Sequence, residues 1–142
     1  MFCTGSKLLK AHNTDAGFDL VSPVDCVIGP LSMAFIETDH RILLPEGSVG
    51  LVCPRSGLAK KAGIGIVNAP GIIDCGYSGK IGVSLFNHSK ESYRIKAGDR
   101  IAQLVVVRLA SIGEIALVDP RSFETIAETF ERGGSGFGSS GR

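Results

Sequence analysis

Apolar residues in this chain fall in short runs, not in long amphipathic stretches. The clearest runs are Val24–Ile28, Met33–Ile36, Val49–Cys53, Ile64–Val67, Ile81–Phe86, Ile101–Val107 and Ile112–Val118. Gly, Pro, Asn, Asp or Ser bounds each of them, and Val, Ile and Leu dominate inside. That pattern predicts many short strands joined by tight turns. Strict alternation is visible in Lys80–Phe86, where Ile81, Val83 and Leu85 share one face. No long window carries a 3.6-residue period. Two short segments admit a helix. Ser56–Lys61 fits one or two turns with Ser56 as N-cap, and Ser122–Phe130 fits either a short helix or an extended segment. The fold class is therefore all-β, a sandwich, jelly roll or barrel-like pair of sheets. The end of the chain, RGGSGFGSSGR over 132–142, cannot pack a core and reads as a mobile tail or a binding arm.

Composition narrows the classes. A chain of 142 residues makes one domain, or one domain with a tail. Lys and Arg number 15 against 14 Asp and Glu, a formal charge of +1. That balance argues against a dedicated nucleic-acid or membrane-surface binder. Hydrophobic residues make up 44%, as in folded globular proteins. No apolar run approaches the ~20 residues that span a bilayer, and the N-terminus lacks a secretory h-region. The expected location is the cytoplasm. Cys3, Cys26, Cys53 and Cys75 form no CxxC pair and read as reduced thiols. His12, His40 and His88 lie too far apart in sequence for a ligand set.

Five polar segments stand out against this β framework. The first, DAGFDL, places Asp15 and Asp19 four apart, where one strand face would suit a shared cation; a solvated turn is the simpler reading for Asp15. The second, PRSGLA, puts Arg55, Ser56 and Gly57 between a strand and a helix start. Backbone donors, a hydroxyl and a guanidinium there make a phosphate cradle or a capped surface turn. The third, NAPGIIDCGYSG, reads as a hairpin with Asp74 at its rim and Tyr77 beyond a tight Cys-Gly turn. A pinned carboxylate can act as general base for water, or simply stabilise the turn. In the fourth, GDRIAQL, Gln103 interrupts an apolar strand, and its amide must bond a ligand or a neighbouring backbone. The fifth is the terminal RGGSGFGSSG. Its G-x-G-x-x-G match, at 136–141, neither follows a strand nor opens a helix, so it is not a dinucleotide fingerprint. Successive backbone amides and serine hydroxyls there still suit an anion, and Phe137 could stack on a base.

In this order the five segments resemble the five motifs of the homotrimeric dUTP pyrophosphatases, the dUTPases. The resemblance runs from about residue 11 to the end of the chain. It implies a jelly-roll-like β-barrel, the dUTPase-like β-clip, over 1–121, and a C-terminal segment over 122–142 whose arm closes the active site. It further implies a homotrimer with shared sites, magnesium as cofactor, and dUTP as substrate, cleaved to dUMP and pyrophosphate. Such an enzyme keeps uracil out of DNA and supplies dUMP for thymidylate synthesis.

The resemblance also assigns roles. Asp74 matches the aspartate that orients and deprotonates the attacking water. Tyr77 matches the tyrosine under the deoxyribose, which leaves no room for a 2′-hydroxyl. Asn68, Gly71, Ile72 and Ile73 match the segment that reads the uracil edge, and Gly82 matches a position that contacts the base. Arg55, Ser56 and Gly57 resemble the phosphate-binding Arg-Ser-Gly, with Gln103 nearby. Asp19 resembles the aspartate that holds magnesium through water. Arg132, Phe137, Gly138, Ser139 and Ser140 resemble the arm, with Phe137 stacking on uracil and the others gripping the γ-phosphate. Ser135 departs from the usual paired glycines of the arm, and Cys75 adds a thiol beside the catalytic aspartate. Two rival readings share the fold: a dCTP deaminase, whose acid/base set differs from Asp74 and Tyr77, and a binding module that engages a regulatory protein.

Overall fold

The structure is a computed structural model that describes residues 1–5, 8–110 and 116–129. Among the described residues, ten strands and two short helices follow one another. They are β1 (Phe2–Thr4), β2 (Gly17–Val21), β3 (Cys26–Ile28), β4 (Met33–Leu43), β5 (Ser48–Cys53), α1 (Ser56–Ala62), β6 (Ile64–Ile66), β7 (Gly71–Ile73), β8 (Lys80–Asn87), β9 (Tyr93–Ile95), β10 (Arg100–Arg108) and α2 (Pro120–Ala127). One sheet has the order β1-β4-β8-β6 and a second the order β2-β10-β5-β7, while β3 and β9 form a separate ribbon. Every pairing is antiparallel. The result is the expected all-β, jelly-roll-like architecture.

One core serves both sheets. Ile36, Ile42, Ile81, Val83 and Leu85 enter it from the first sheet, and Leu20, Val52, Ala102 and Leu104 from the second. The alternation read in Lys80–Phe86 holds: Ile81, Val83 and Leu85 are buried and the residues between them are not. A polar knot closes one end. Asn87 is fully buried, and its Nδ2 donates to the carbonyls of Ile28, Gly29 and Glu91 at 3.0, 3.0 and 2.7 Å. Its Oδ1 accepts from the Ser89 amide and hydroxyl at 2.9 and 2.7 Å. One side chain thus ties β8 to the loop after β3 and to the turn before β9.

Several expectations need correction. The segment 68–79 is not a hairpin. β7 pairs with β5, through Gly50↔Ile73 and Val52↔Gly71, whereas β8 pairs with β4 and β6. The loop between them crosses from one sheet to the other. A tight turn with glycine serves a hairpin and a crossing equally well, so the turn chemistry alone did not separate them. Ser56 is not the N-cap of α1. Arg55 takes that place with extended backbone, no side chain caps the helix, and the Arg55 carbonyl accepts from Leu58 and Ala59. The helical alternative holds for the later segment, but α2 begins at Pro120 with Asp119 as its N-cap, bonding the amides of Arg121 and Ser122. Within the run Ile112–Val118, residues 116–118 lie in no strand, and 112–115 are outside the described residues.

The chain divides into two compact units, Met1–Ala110 and Ser111–Arg142. Both sheets belong to the first. In that unit Leu104 is fully buried, with Phe18 of β2 and Val52 of β5 as its register partners. Leu104→Ala should lower unfolding stability by roughly 2–5 kcal/mol through lost burial and a residual cavity. Urea unfolding at fixed protein concentration measures it, and a loss well below that range would mean that the site collapses around the smaller side chain.

Candidate active site

Residues of the third segment frame a cavity of about 330 Å³. Asn68, Gly71, Ile72, Ile73, Asp74 and Tyr77 line one side, and Lys80 and Gly82 of β8 line the other. The crossing loop sets the positions of the two chemical groups. The Tyr77 amide donates to the Asp74 carbonyl at 3.2 Å, and Gly76 lies between them at φ 88°, a conformation that glycine alone adopts freely. Asp74 is left exposed at the cavity mouth. The Tyr77 ring folds back over the chain, and its hydroxyl donates to the Lys80 carbonyl at 2.8 Å. Gly79 makes that fold possible, since a Cβ there would lie 2.5 Å from Tyr77 Oη and 2.7 Å from Cζ. Cys75 points away and donates weakly to the Leu44 carbonyl at 3.6 Å. At the rim, Lys80 Nζ bonds Asp39 at 3.1 Å, and that carboxylate holds the ammonium above its ordinary pKa.

A second cluster gathers on the β2-β10-β5 side. The register sets Asp19 opposite Gln103, and Gln103 opposite Cys53. Gln103 Nε2 donates to the Pro54 carbonyl at 2.9 Å, so its amide serves a neighbouring backbone and holds the start of the Arg-Ser-Gly segment. Arg55 Nε meets Asp19 Oδ1 at 3.0 Å. Arg55 and Gly57 also line a cleft of about 450 Å³ with Lys61, Asp99 and Arg100. Ser56 and Gly57 open α1, where the first helical amides have no partner within the helix. Asp15 does not share a face with Asp19. It lies before β2 and accepts from the His12 amide at 2.8 Å, the turn role.

Among the described residues, these two cavities have no lining residue in common. Within one chain, then, Asp74 and Arg55 face different spaces. Arg132, Phe137, Gly138, Ser139 and Ser140, and Ser135 with them, lie outside the described residues.

Known proteins settle the class. A dUTPase family profile matches residues 5–141. The chain belongs to the dUTPase family. Deoxyuridine 5'-triphosphate nucleotidohydrolase of Nocardia farcinica is 45% identical over 133 residues, which cover 93% of this chain and 76% of that protein. The protein of the same name from Mus musculus is 45% identical over 127 residues, covering 89% and 73%. Among solved structures, the dUTPase of Staphylococcus bacteriophage 80alpha with dUPNHPP superposes with a TM-score of 0.84 at 34% identity, covering 97% of this chain and 93% of that one. A mutant dUTPase from phage phi11 of S. aureus, described for its coordination of a structural Mg(II) ion, gives 0.73 at 31% identity, covering 81% and 90%. The protein is accordingly a dUTP diphosphatase, an enzyme that hydrolyses dUTP.

Among the described residues, no three His, Cys, Asp or Glu side chains converge as a metal cage. Asp19 offers one carboxylate, 16% exposed, with an arginine on each oxygen and lone pairs to spare. That donor set fits magnesium, which keeps its waters and binds mainly through nucleotide phosphates. Two neighbours of the site carry no role in the sequence reading. Phe35 on β4 lines the Asp74 cavity, and its ring fills the space that a side chain at Gly82 would need. Arg100 binds Asp19. Both placements follow from strand pairing that no local pattern reports.

The chain has no Trp and only two Tyr, so Tyr77 supplies a large share of its intrinsic emission. Gly79→Ala should force the ring off the Lys80 carbonyl. Tyrosine fluorescence and dUTP turnover should both change, with the fold intact by far-UV circular dichroism; unchanged emission and turnover would show that the ring does not need the space at 79.

Proposed function

We propose that the enzyme converts dUTP and water to dUMP and pyrophosphate by attack of water on the α-phosphorus. Asp74 takes a proton from the water, the new oxygen–phosphorus bond forms, and the bond to the bridging oxygen breaks to release pyrophosphate. The observation that carries this reading is the exposed Asp74 carboxylate at the mouth of a nucleoside-sized cavity framed by the 71–73 backbone, Asn68 and Tyr77. Backbone donors and acceptors along Gly71, Ile72 and Ile73, with Gly82 opposite, read the uracil edge. A cytosine edge would leave some of them unpaired, which is costly in a buried site. Tyr77 packs under the deoxyribose and excludes a 2′-hydroxyl.

Arg55, Ser56, Gly57 and Gln103 make up the phosphate side, with the α1 amides and the Arg55 guanidinium as donors. Asp19 would hold magnesium through water. When bound, the ion neutralises triphosphate charge and polarises the α-phosphoryl group. Because the Asp74 and Arg55 cavities share no described residue, a complete site takes its two halves from different subunits of a homotrimer. The arm, through Arg132, Phe137, Gly138, Ser139 and Ser140, closes over the nucleotide and excludes water from the triphosphate. The reaction belongs to the cytoplasm, where it removes dUTP before it enters DNA and supplies dUMP for thymidylate synthesis.

Asp74→Asn should lower kcat by about 10²–10⁴-fold with KM for dUTP little changed. Pyrophosphate release under steady state tests it, and undiminished kcat would remove Asp74 from its role. Deleting 132–142 should leave the assembly size unchanged by light scattering and cut turnover sharply; normal turnover would overturn the closing role of the arm. The shared site is tested by exchanging subunits of Asp74→Asn with subunits of Arg55→Ala. Mixed trimers should regain activity that neither parent has, and no recovery on verified mixing would mean that each site comes from one chain.

A further inference from the structure

Asp19 is one anion between two cations. Its Oδ1 lies 3.0 Å from Arg55 Nε as an ion pair, and its Oδ2 accepts from Arg100 Nη1 at 3.2 Å. Arg55 Nη1 also donates to the Arg100 main-chain carbonyl at 3.1 Å. β2, the N-cap of α1 and the start of β10 are thereby joined in a closed ring of one ion pair and two hydrogen bonds. The Asp19 side chain is 16% exposed and that of Arg55 26%, so solvent screens this contact less than an ordinary surface pair.

The ring constrains Arg55. A guanidinium beside a lone carboxylate tends to pair through two parallel bonds, one to each oxygen. Here Oδ2 accepts from Arg100, and Asp19 faces Arg55 with Oδ1 beside Nε. Arg55 Nη1 goes to a neutral carbonyl, and both Nη2 donors are uncommitted within the ring. The charge balance follows: two arginines against one aspartate leave the ring at +1, whereas Arg55 and Asp19 alone would sum to zero.

We propose that Arg100 is a positioning residue that holds Asp19 Oδ2 and so keeps Arg55 from being neutralised, leaving its donors for the triphosphate. Without the Arg100 side chain, Asp19 turns both oxygens to Arg55 and withdraws it from the nucleotide. The Arg100 carbonyl persists in any variant, so substitution isolates the side chain. The inference rests on the phosphate-binding role proposed for Arg55.

The test is the affinity of the full-length protein for the dUTP analogue dUPNHPP, measured calorimetrically in EDTA, so that no metal contributes. Arg100→Ala should weaken binding roughly tenfold, the scale of one charge-assisted contact. Arg100→Lys should retain most of the affinity, because an ammonium can still donate to Oδ2. The decisive comparison uses Asp19→Asn, whose neutral amide does not capture Arg55. In that background Arg100→Ala should have little further effect. An equal loss in both backgrounds would mean that Arg100 contacts the nucleotide directly or supports the fold, and would overturn the proposal. So would an unchanged Arg100→Ala affinity. Failure of the unsubstituted protein to bind dUPNHPP both in EDTA and with magnesium restored would instead remove the proposed function itself.

Discussion

The register of β10 between β2 and β5 is the constraint on which the Asp19–Arg55–Gln103 cluster depends. It sets Asp19, Gln103 and Cys53 in one row across three strands. From that row Gln103 reaches the Pro54 carbonyl and Asp19 reaches Arg55. A shift of one residue would turn Gln103 toward the core and bring Leu104 outward. The core prevents the shift, because Leu20, Ala102 and Leu104 are all fully buried at that register. Apolar packing therefore fixes the geometry of the polar cluster, although it makes none of the cluster's bonds.

The Asp74–Tyr77 cavity is organised by a different device. The chain leaves the second sheet at Ile73 and enters the first at Lys80, and Asp74 and Tyr77 sit on the crossing. A loop that links two sheets is anchored at both ends by separate hydrogen-bond ladders. It can hold a carboxylate out in solvent and fold an aromatic ring back on the chain, as the Tyr77–Lys80 bond shows. A hairpin tip would be anchored by a single ladder and would be a looser platform.

Much of this was legible in the sequence, for identifiable reasons. Short Val/Ile/Leu runs and the strict alternation of Lys80–Phe86 report burial on one face, which is a local property. The five polar segments report their chemistry through residue type and order. Long-range pairing leaves no such mark. The 68–79 segment looks like a hairpin because Gly76 and its neighbours satisfy any tight turn. Ser56 looks like an N-cap because serine prefers that place, but the chain stays extended through Arg55 and the helix begins one residue earlier than that preference implies. Arg100 and Phe35 became site neighbours only when β10 was aligned with β2 and β4 with β8.

The buried knot at Asn87 bears on how long the enzyme survives covalently. Asparagine is a thermolabile residue, prone to hydrolysis to aspartate where water and backbone freedom allow. At 87 the side chain is fully buried, and five hydrogen bonds hold its amide. Conversion there would place an acceptor-only carboxylate against three carbonyl oxygens, with no proton for any of them. The packing that would make such damage ruinous also shields the amide from it, so chemical ageing should begin at exposed asparagines such as Asn68 and leave this joint until the fold opens.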